Sequence, residues 1–265
     1  MISLVDTSVV VPVFKNAETV LELYRRVATV LQSLGGTWEL IFVDDASPDG
    51  SLQHLRKLAQ EDLRVVVLAL AENVGQHRAV WLGLQRARGQ MVAVMDADLQ
   101  DPPEALPALL RALQDAGEEK PTVVFAGRQG WYQSWPRMVT SRFFKHLLHL
   151  WLGLPADAGL FCVMNRKAVA CLARWDVPRP YLQVMLACAG ASFVSLPVTR
   201  PLRPAGVSSY SSWRRLVLAL RALGLALRLK LHMPPRGPAP WPIRECIGGS
   251  GEHEKQSWEV FRDAS

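Results

Sequence analysis

The sequence predicts an α/β protein built on a mostly parallel sheet with helices on both faces. Three observations carry this. Short β-branched runs alternate strictly with segments of helical periodicity from Thr7 to Met95, giving a βαβαβαβ pattern. The first run, TSVVVPVF, is apolar on both of its faces, as a strand covered on both sides must be. Acids gather where the second and fourth runs end, at Asp44–Asp45 and Asp96–Asp98, and in open α/β sheets ligands bind beyond the carboxyl ends of the strands.

The first strand is expected over Thr7–Phe14, after which Asn16–Ala17 can cap a helix over Glu18–Gln32. Leu21, Tyr24, Val27 or Ala28, and Leu31 supply its buried stripe, and Gly35–Gly36 ends it. A second strand, Trp38–Val43, runs into Asp44, Asp45, Ala46, Ser47, Pro48, Asp49 and Gly50. A helix over Ser51–Gln60, a strand Arg64–Leu70 and a helix from about Gly75 to Arg88 follow. Val92–Met95 is a short buried strand whose end delivers Asp96–Asp101 into a loop closed by Pro102 and Pro103, with a helix starting near Glu104.

The second half is less regular. A strand Thr122–Ala126 leads to Gly127–Arg128, then to an aromatic loop with Trp131, Tyr132 and Trp135. Trp131 and Trp135 either line an entrance or pack the loop. Pro136–Arg137 opens a helix to about Trp151 that is apolar over a wide face with basic edges, which suits a membrane interface and a core position equally. Asp157–Gly159 reads as a turn, Leu160–Met164 as a strand, Arg166–Ala173 as a helix, Tyr181–Ala189 as an apolar segment and Ser192–Pro197 as the last strand.

With 49% hydrophobic residues in 265, the chain can bury one large domain, and general disorder is excluded. Met1–Asp6 lacks a basic start and Val9–Phe14 is too short for a signal core or a span, so a cytoplasmic start is expected. Cys162, Cys171, Cys188 and Cys246 show no CxxC spacing and read as reduced, mostly core residues. His77 and His146 read as packing or surface residues, because no HExxH-like grouping occurs.

The net charge of +6 is unevenly placed, with eight Lys or Arg and no acid between Arg200 and Arg236. Within this segment Trp213–Leu231 reads as a helix, with Arg214, Arg221 and Arg228 on one side and Leu216, Leu220, Leu223 and Leu227 toward another. Such a helix lies in the plane of an anionic membrane surface, or packs back on the domain with its arginines reaching out. Nucleic acid is not expected as a partner, since the basic residues are not interleaved with exposed stacking aromatics. The division expected is a domain over residues 1–210, an amphipathic helix over 211–232 and a mobile polar tail over 233–265.

Asp96 and Asp98, one residue apart at a strand end, can converge on a hard cation. Mg²⁺ and Mn²⁺ are usually held by one or two carboxylates plus a substrate's phosphates. Taken alone, the same acids also suit an acidic turn before the next helix. Neither GxGxxG nor GxxxxGK[ST] occurs, so a bound nucleotide would need acids for its base or ribose and a metal for its diphosphate.

Four stretches together carry a resemblance: FVDDASPDGS (Phe42–Ser51), NVGQHRAVWLGLQRARG (Asn73–Gly89), MDADLQDPPE (Met95–Glu104) and RPAGVSSY (Arg203–Tyr210). In this order they resemble the family 2 glycosyltransferases, and within them the dolichol- and polyprenyl-phosphate glycosyltransferases. The resemblance covers roughly residues 7 to 230.

It implies a GT-A type nucleotide-binding fold and inverting transfer of a sugar from a UDP- or GDP-linked donor to a polyprenyl phosphate. The enzyme would be peripheral on the cytoplasmic membrane face, with Mg²⁺ or Mn²⁺ as cofactor. By the same resemblance Asp98 and Gln100 match metal ligands, with Asp96 helping to place metal and donor. Pro12, Asp44 and Asp45 match the pocket for base and ribose; Arg128, Arg137 and Ser141 match the clamp on the acceptor phosphate; Arg203 and Ser208 match a late donor loop. Asp98, Arg128 and Arg137 are thereby the expected catalytic set.

Two positions depart from the family pattern. Cys162 stands where an arginine is common and Ser209 where a lysine is, and Arg166 or Arg200 are candidates to replace the missing charge. The alternatives are a glycosyltransferase for a soluble or protein-linked acceptor, with Asp157 as base, and a weakly active or non-catalytic nucleotide-sugar-binding homologue.

Overall fold

The computed structural model describes residues 5–128, 151–155, 157–173, 175, 177, 179–200, 212–231 and 242–249. In chain order these form β1 (Thr7–Val13), α1 (Val20–Leu34), β2 (Trp38–Asp44), α2 (Ser51–Glu61), β3 (Val65–Leu70), α3 (Gln76–Arg86) and β4 (Met91–Val94). A 3-10 turn (Pro103–Ala105) opens α4 (Leu106–Asp115), followed by β5 (Thr122–Arg128), β6 (Cys162–Asn165), α5 (Arg166–Ala173), α6 (Leu182–Cys188), β7 (Ser192–Val198), α7 (Ser212–Lys230) and β8 (Ile243–Gly248).

The eight strands make one sheet in the order β7-β5-β6-β4-β1-β2-β3-β8. β1 pairs in parallel with β2 and β4, β2 with β3, and β5 with β7. β6 is antiparallel to both β4 and β5, so β5 and β7 point the same way as the central strands. The carboxyl ends of β4, β1, β2, β5 and β7 therefore share one edge, and the residues leading into β6 lie at that edge too.

Alternate residues of the central strands serve opposite faces, which explains why their sequences are apolar throughout. Val9, Val11, Leu40 and Phe42 meet Leu23, Val27, Leu55 and Leu109 from α1, α2 and α4. Val10, Ile41, Val66 and Leu68 meet Ala79, Leu82, Val169 and Met185 from α3, α5 and α6. Pro12 is tolerated in a central strand because the β1–β4 ladder stops at Val10–Val94, so no bond to β4 is lost there. The α1 stripe is Val20, Leu23, Val27 and Leu31, with Leu21, Tyr24 and Ala28 half-buried at its flank.

Two expectations change. The segment Tyr181–Ala189 is a helix, α6, whose Val184 packs with Leu152, Leu154 and α7 residues Ala222 and Ala226. The tail expected to be mobile over 233–265 instead contributes β8, which pairs antiparallel with β3 from Leu70↔Ile243 to Val66↔Gly248. Its IRECIG sequence is short and half-polar, so it gives a weak strand signal; an open β3 edge supplies the partner that the local sequence does not announce.

α7 was expected to lie on a membrane or to pack back on the body. Its described half packs through Ala222, Ala226 and Leu229, while Leu227 and Leu231 remain outward at 51% and 60% exposure. Among the described residues no helix is long and apolar enough to cross a membrane.

Candidate active site

The loops after β1, β2 and β4 meet at the shared edge, and each carries a non-glycine residue with positive φ: Lys15 at 61°, Ala46 at 53° and Leu99 at 61°. Left-handed backbone costs an L-residue about 1–2 kcal/mol. Its concentration in these three loops marks them as held in shape by their surroundings, as functional loops often are.

Much of that holding comes from the DDASPDGS stretch. Ser47 Oγ accepts the Lys15 amide at 3.3 Å, Ser51 Oγ accepts the Asn16 amide at 3.0 Å, and Asp49 Oδ2 accepts the Ala17 amide at 3.1 Å. Asp49 Oδ1 also receives the Ser51 hydroxyl at 2.6 Å. Asp49 and the two serines therefore lace the β1 loop to the β2 loop.

The two acids that end β2 differ in role. Asp45 is fully engaged: Oδ1 accepts the Val74 amide at 2.7 Å and Oδ2 the Gly75 amide at 2.9 Å. It fixes the turn into α3, where Gly75 has φ 88°. Asp44 is equally buried, but only its Oδ2 is used, by the Ser47 amide at 3.3 Å, and Oδ1 has no hydrogen-bond partner among the described residues. An unpaired buried acceptor costs about 1–3 kcal/mol, so Asp44 is the better placed of the two to take a ligand donor. Burial pushes both carboxyls above the ordinary aspartate value.

Beyond β4, Leu99 turns the chain so that the Gln100 amide reaches back to Asp98 Oδ1 at 3.1 Å. Asp96 Oδ1 receives the Gln76 side-chain amide, and its own backbone N–H donates to Asp101 Oδ2 at 3.0 Å. Thr19 Oγ1 donates to the Ala97 carbonyl at 2.7 Å, and Arg26 forks onto Glu104 at 2.9 and 2.7 Å, tying α1 to both ends of this loop. Among the described residues no three His, Cys, Asp or Glu side chains form a ready-made metal cage. Two carboxylates and an amide oxygen on one tight loop nevertheless suit Mg²⁺ or Mn²⁺, whose remaining positions go to phosphate and water.

Asp101 is buried against Arg200, with Nη1 to Oδ1 at 2.7 Å. Arg200 also donates to the Ala126 carbonyl at 3.3 Å and lies over the Phe161 ring. Of the two candidates to offset Cys162, Arg200 stands at this edge. Arg166 donates to the Ala87 carbonyl, beside Asn165, which pairs with the amino end of β4. Asp157 accepts the Ser195 hydroxyl at 2.6 Å next to Gly127.

Pro12, Asp44, Asp45, Asp96, Asp98 and Gln100 thus stand at or just beyond the carboxyl ends of the neighbouring strands β1, β2 and β4. Arg128 ends β5 at the same edge, its side chain outside those described. Arg137, Ser141, Arg203, Ser208, Ser209, Trp131, Trp135 and His146 lie outside the described residues. Sequence reasoning missed Gln76, Asp49 and the Asp101 carboxylate. Asp101 was legible as the third acid of DADLQD, but nothing local announces its partner about a hundred residues later.

A sheet of this order, with two acid clusters at one strand edge, defines a nucleotide-binding α/β protein of the GT-A type. Residues 8–173 match Glycosyl transferase family 2, and the chain belongs to that family. Solved structures share its fold. A mannosyltransferase from Pyrobaculum calidifontis, in complex with GDP-Man and Mn²⁺, is 19% identical with a TM-score of 0.58, over 89% of this chain and 66% of that one. Glucosyl-3-phosphoglycerate synthase from Mycobacterium tuberculosis, with Mn²⁺, UDP and glucosyl-3-phosphoglycerate, is 18% identical with a TM-score of 0.57, over 92% and 90%. Mannosyl-3-phosphoglycerate synthase from Rubrobacter xylanophilus is 18% identical with a TM-score of 0.58, over 89% and 79%.

Proposed function

We propose that the protein transfers a sugar, with inversion, from a UDP- or GDP-linked donor to a polyprenyl phosphate at the cytoplasmic face of a membrane. The observation that carries the donor half is the meeting of Asp44, with its unused Oδ1, and the Asp96–Gln100 loop at one sheet edge. Asp44 would bind an N–H of the base, and Pro12 would shape the floor beneath it. Asp98 and Gln100, with Asp96 behind them, would hold Mg²⁺ or Mn²⁺. That ion would supply Lewis-acid stabilisation of the charge on the departing diphosphate. The relatives that hold Mn²⁺ with GDP-Man or UDP support this choice of donor class and cation.

A phosphate-ester acceptor is already anionic near neutral pH, so it attacks without a dedicated base. What it needs is positioning, and a guanidinium fork matches phosphate geometry. Arg128 and Arg137 would orient it with Ser141, while Arg203 and Ser208 would hold the donor. The outward Leu227 of α7 and Leu231 just beyond it, with half-exposed Trp151 and Lys230 over its ring, support seating on an anionic lipid surface.

The deciding experiment is a transfer assay with purified protein, short-chain polyprenyl phosphate and UDP-, GDP- and dTDP-sugars, with Mn²⁺ or Mg²⁺ and with EDTA. Metal-dependent label in the lipid phase is expected. Label in 3-phosphoglycerate or another water-soluble acceptor, and none in lipid, would overturn the acceptor. No binding of any donor would make the chain a non-catalytic homologue.

A further inference from the structure

We propose that the Asp101–Arg200 ion pair is a clasp that sets the shape of the Asp96–Gln100 loop, making both residues positioning residues for donor binding. This role rests on the function proposed above. The pair is sealed, with side-chain exposures of 2% and 9%, and its 2.7 Å contact leaves the guanidinium charge matched by a carboxylate. Arg200 is thereby tied as a strut between β5 and the loop that follows β4.

Each end of the clasp is anchored. On one side Arg200 donates to Ala126 O on β5 at 3.3 Å and lies 5.8 Å from the Phe161 ring centroid, just before β6. On the other, Asp101 Oδ2 receives the Asp96 amide at 3.0 Å. A continuous path therefore runs from the end of β7, across β5 and the entry to β6, to the backbone of the first acid in the loop. Buried ion pairs rarely add stability over apolar packing of the same volume, and their best-attested use is to fix geometry. A residue that orients a metal-binding group typically changes affinity by about 10–100-fold when lost.

Cys162 opens β6, directly after Phe161. Burial, with the Asp101 charge adding to it, pushes its thiol up to about 12.

Removing one partner alone would strand a buried charge, so the test is the double variant Asp101→Asn/Arg200→Met in the full chain. Amide exchange across residues 96–101 of the metal-free protein is expected to quicken about 10-fold or more, with the β1 and β2 segments unchanged. Mn²⁺ affinity in the presence of UDP or GDP, read by electron paramagnetic resonance, is expected to weaken about 10–100-fold. Unchanged exchange and affinity in the double variant, with wild-type binding intact, would overturn the clasp alone, as would faster exchange spread over the whole sheet. A wild type that binds no nucleotide with Mn²⁺ would overturn the proposed function, and with it the clasp's part in donor binding.

Discussion

The Gly75 amide donates to Asp45 Oδ2 at 2.9 Å, so an acid that the sequence offers as a ligand is spent on the backbone of the next loop. Asp44 beside it keeps Oδ1 unused. The adjacent acids should therefore separate in experiment. Asp45→Asn sets a donor against a donor and is expected to cost about 1–3 kcal/mol of stability. Asp44→Asn is expected to leave stability unchanged or raise it while weakening nucleotide binding. Burial raises the pKa of Asp44, so its folded form favours the proton. Its contribution is greatest below the unfolded value of 3.8 and is lost as pH rises through the folded value. The amide removes that loss. Chemical denaturation and nucleotide titration of both variants check this.

Asp98→Ala is expected to lower turnover by about 10²–10³-fold or more, with the melting temperature within a few degrees of wild type. The bond that its side chain takes from the Gln100 amide is local to the loop. Full activity in this variant would remove the metal assignment.

His77 stacks on Tyr181, with ring centroids 4.7 Å apart, and desolvation pushes its imidazole down to about 4. The unfolded chain takes up a proton near 6.5 that the folded protein refuses. Stability should therefore fall as pH falls from about 6.5 to about 4, with a slope of at most about 1.4 kcal/mol per pH unit from this group. His77→Phe should flatten that part of a stability-versus-pH curve.

At Gly127 an added Cβ would stand 2.2 Å from Asp157 Oδ2 and 2.6 Å from Ser195 Oγ. Gly127→Ala must displace the ends of those two side chains beside Arg128, and because both can swing away a cost of about 1 kcal/mol or less is expected. Calorimetry measures that cost. Ser195→Ala in the same background should recover part of it by opening space.

The central sheet was legible because its signal is local: β-branched runs, helical stripes and acids at strand ends are all written within a few residues of one another. Arg166–Ala173 was read to the residue, since a strand end and an apolar stripe bracket it. β8 was not legible, because IRECIG becomes a strand only against the open edge of β3. The site divides in the same way. Asp96, Asp98 and Gln100 sit in one motif. The contrast between Asp44 and Asp45 depends on amides about thirty residues onward, and the choice of Arg200 over Arg166 depends on which end of β4 each one meets.

β8 also bears on how the chain tolerates shortening. β3 is six apolar residues, all buried, and only β8 covers its outer edge among the described residues. Arg56 on α2 reaches Glu245 to hold that cover in place. A chain ending near residue 232 would keep the candidate site but bare a hydrophobic strand whose free N–H and C=O groups template pairing with other chains. Such a truncation should form sheet-edge aggregates on concentration, visible by light scattering before any loss of donor binding.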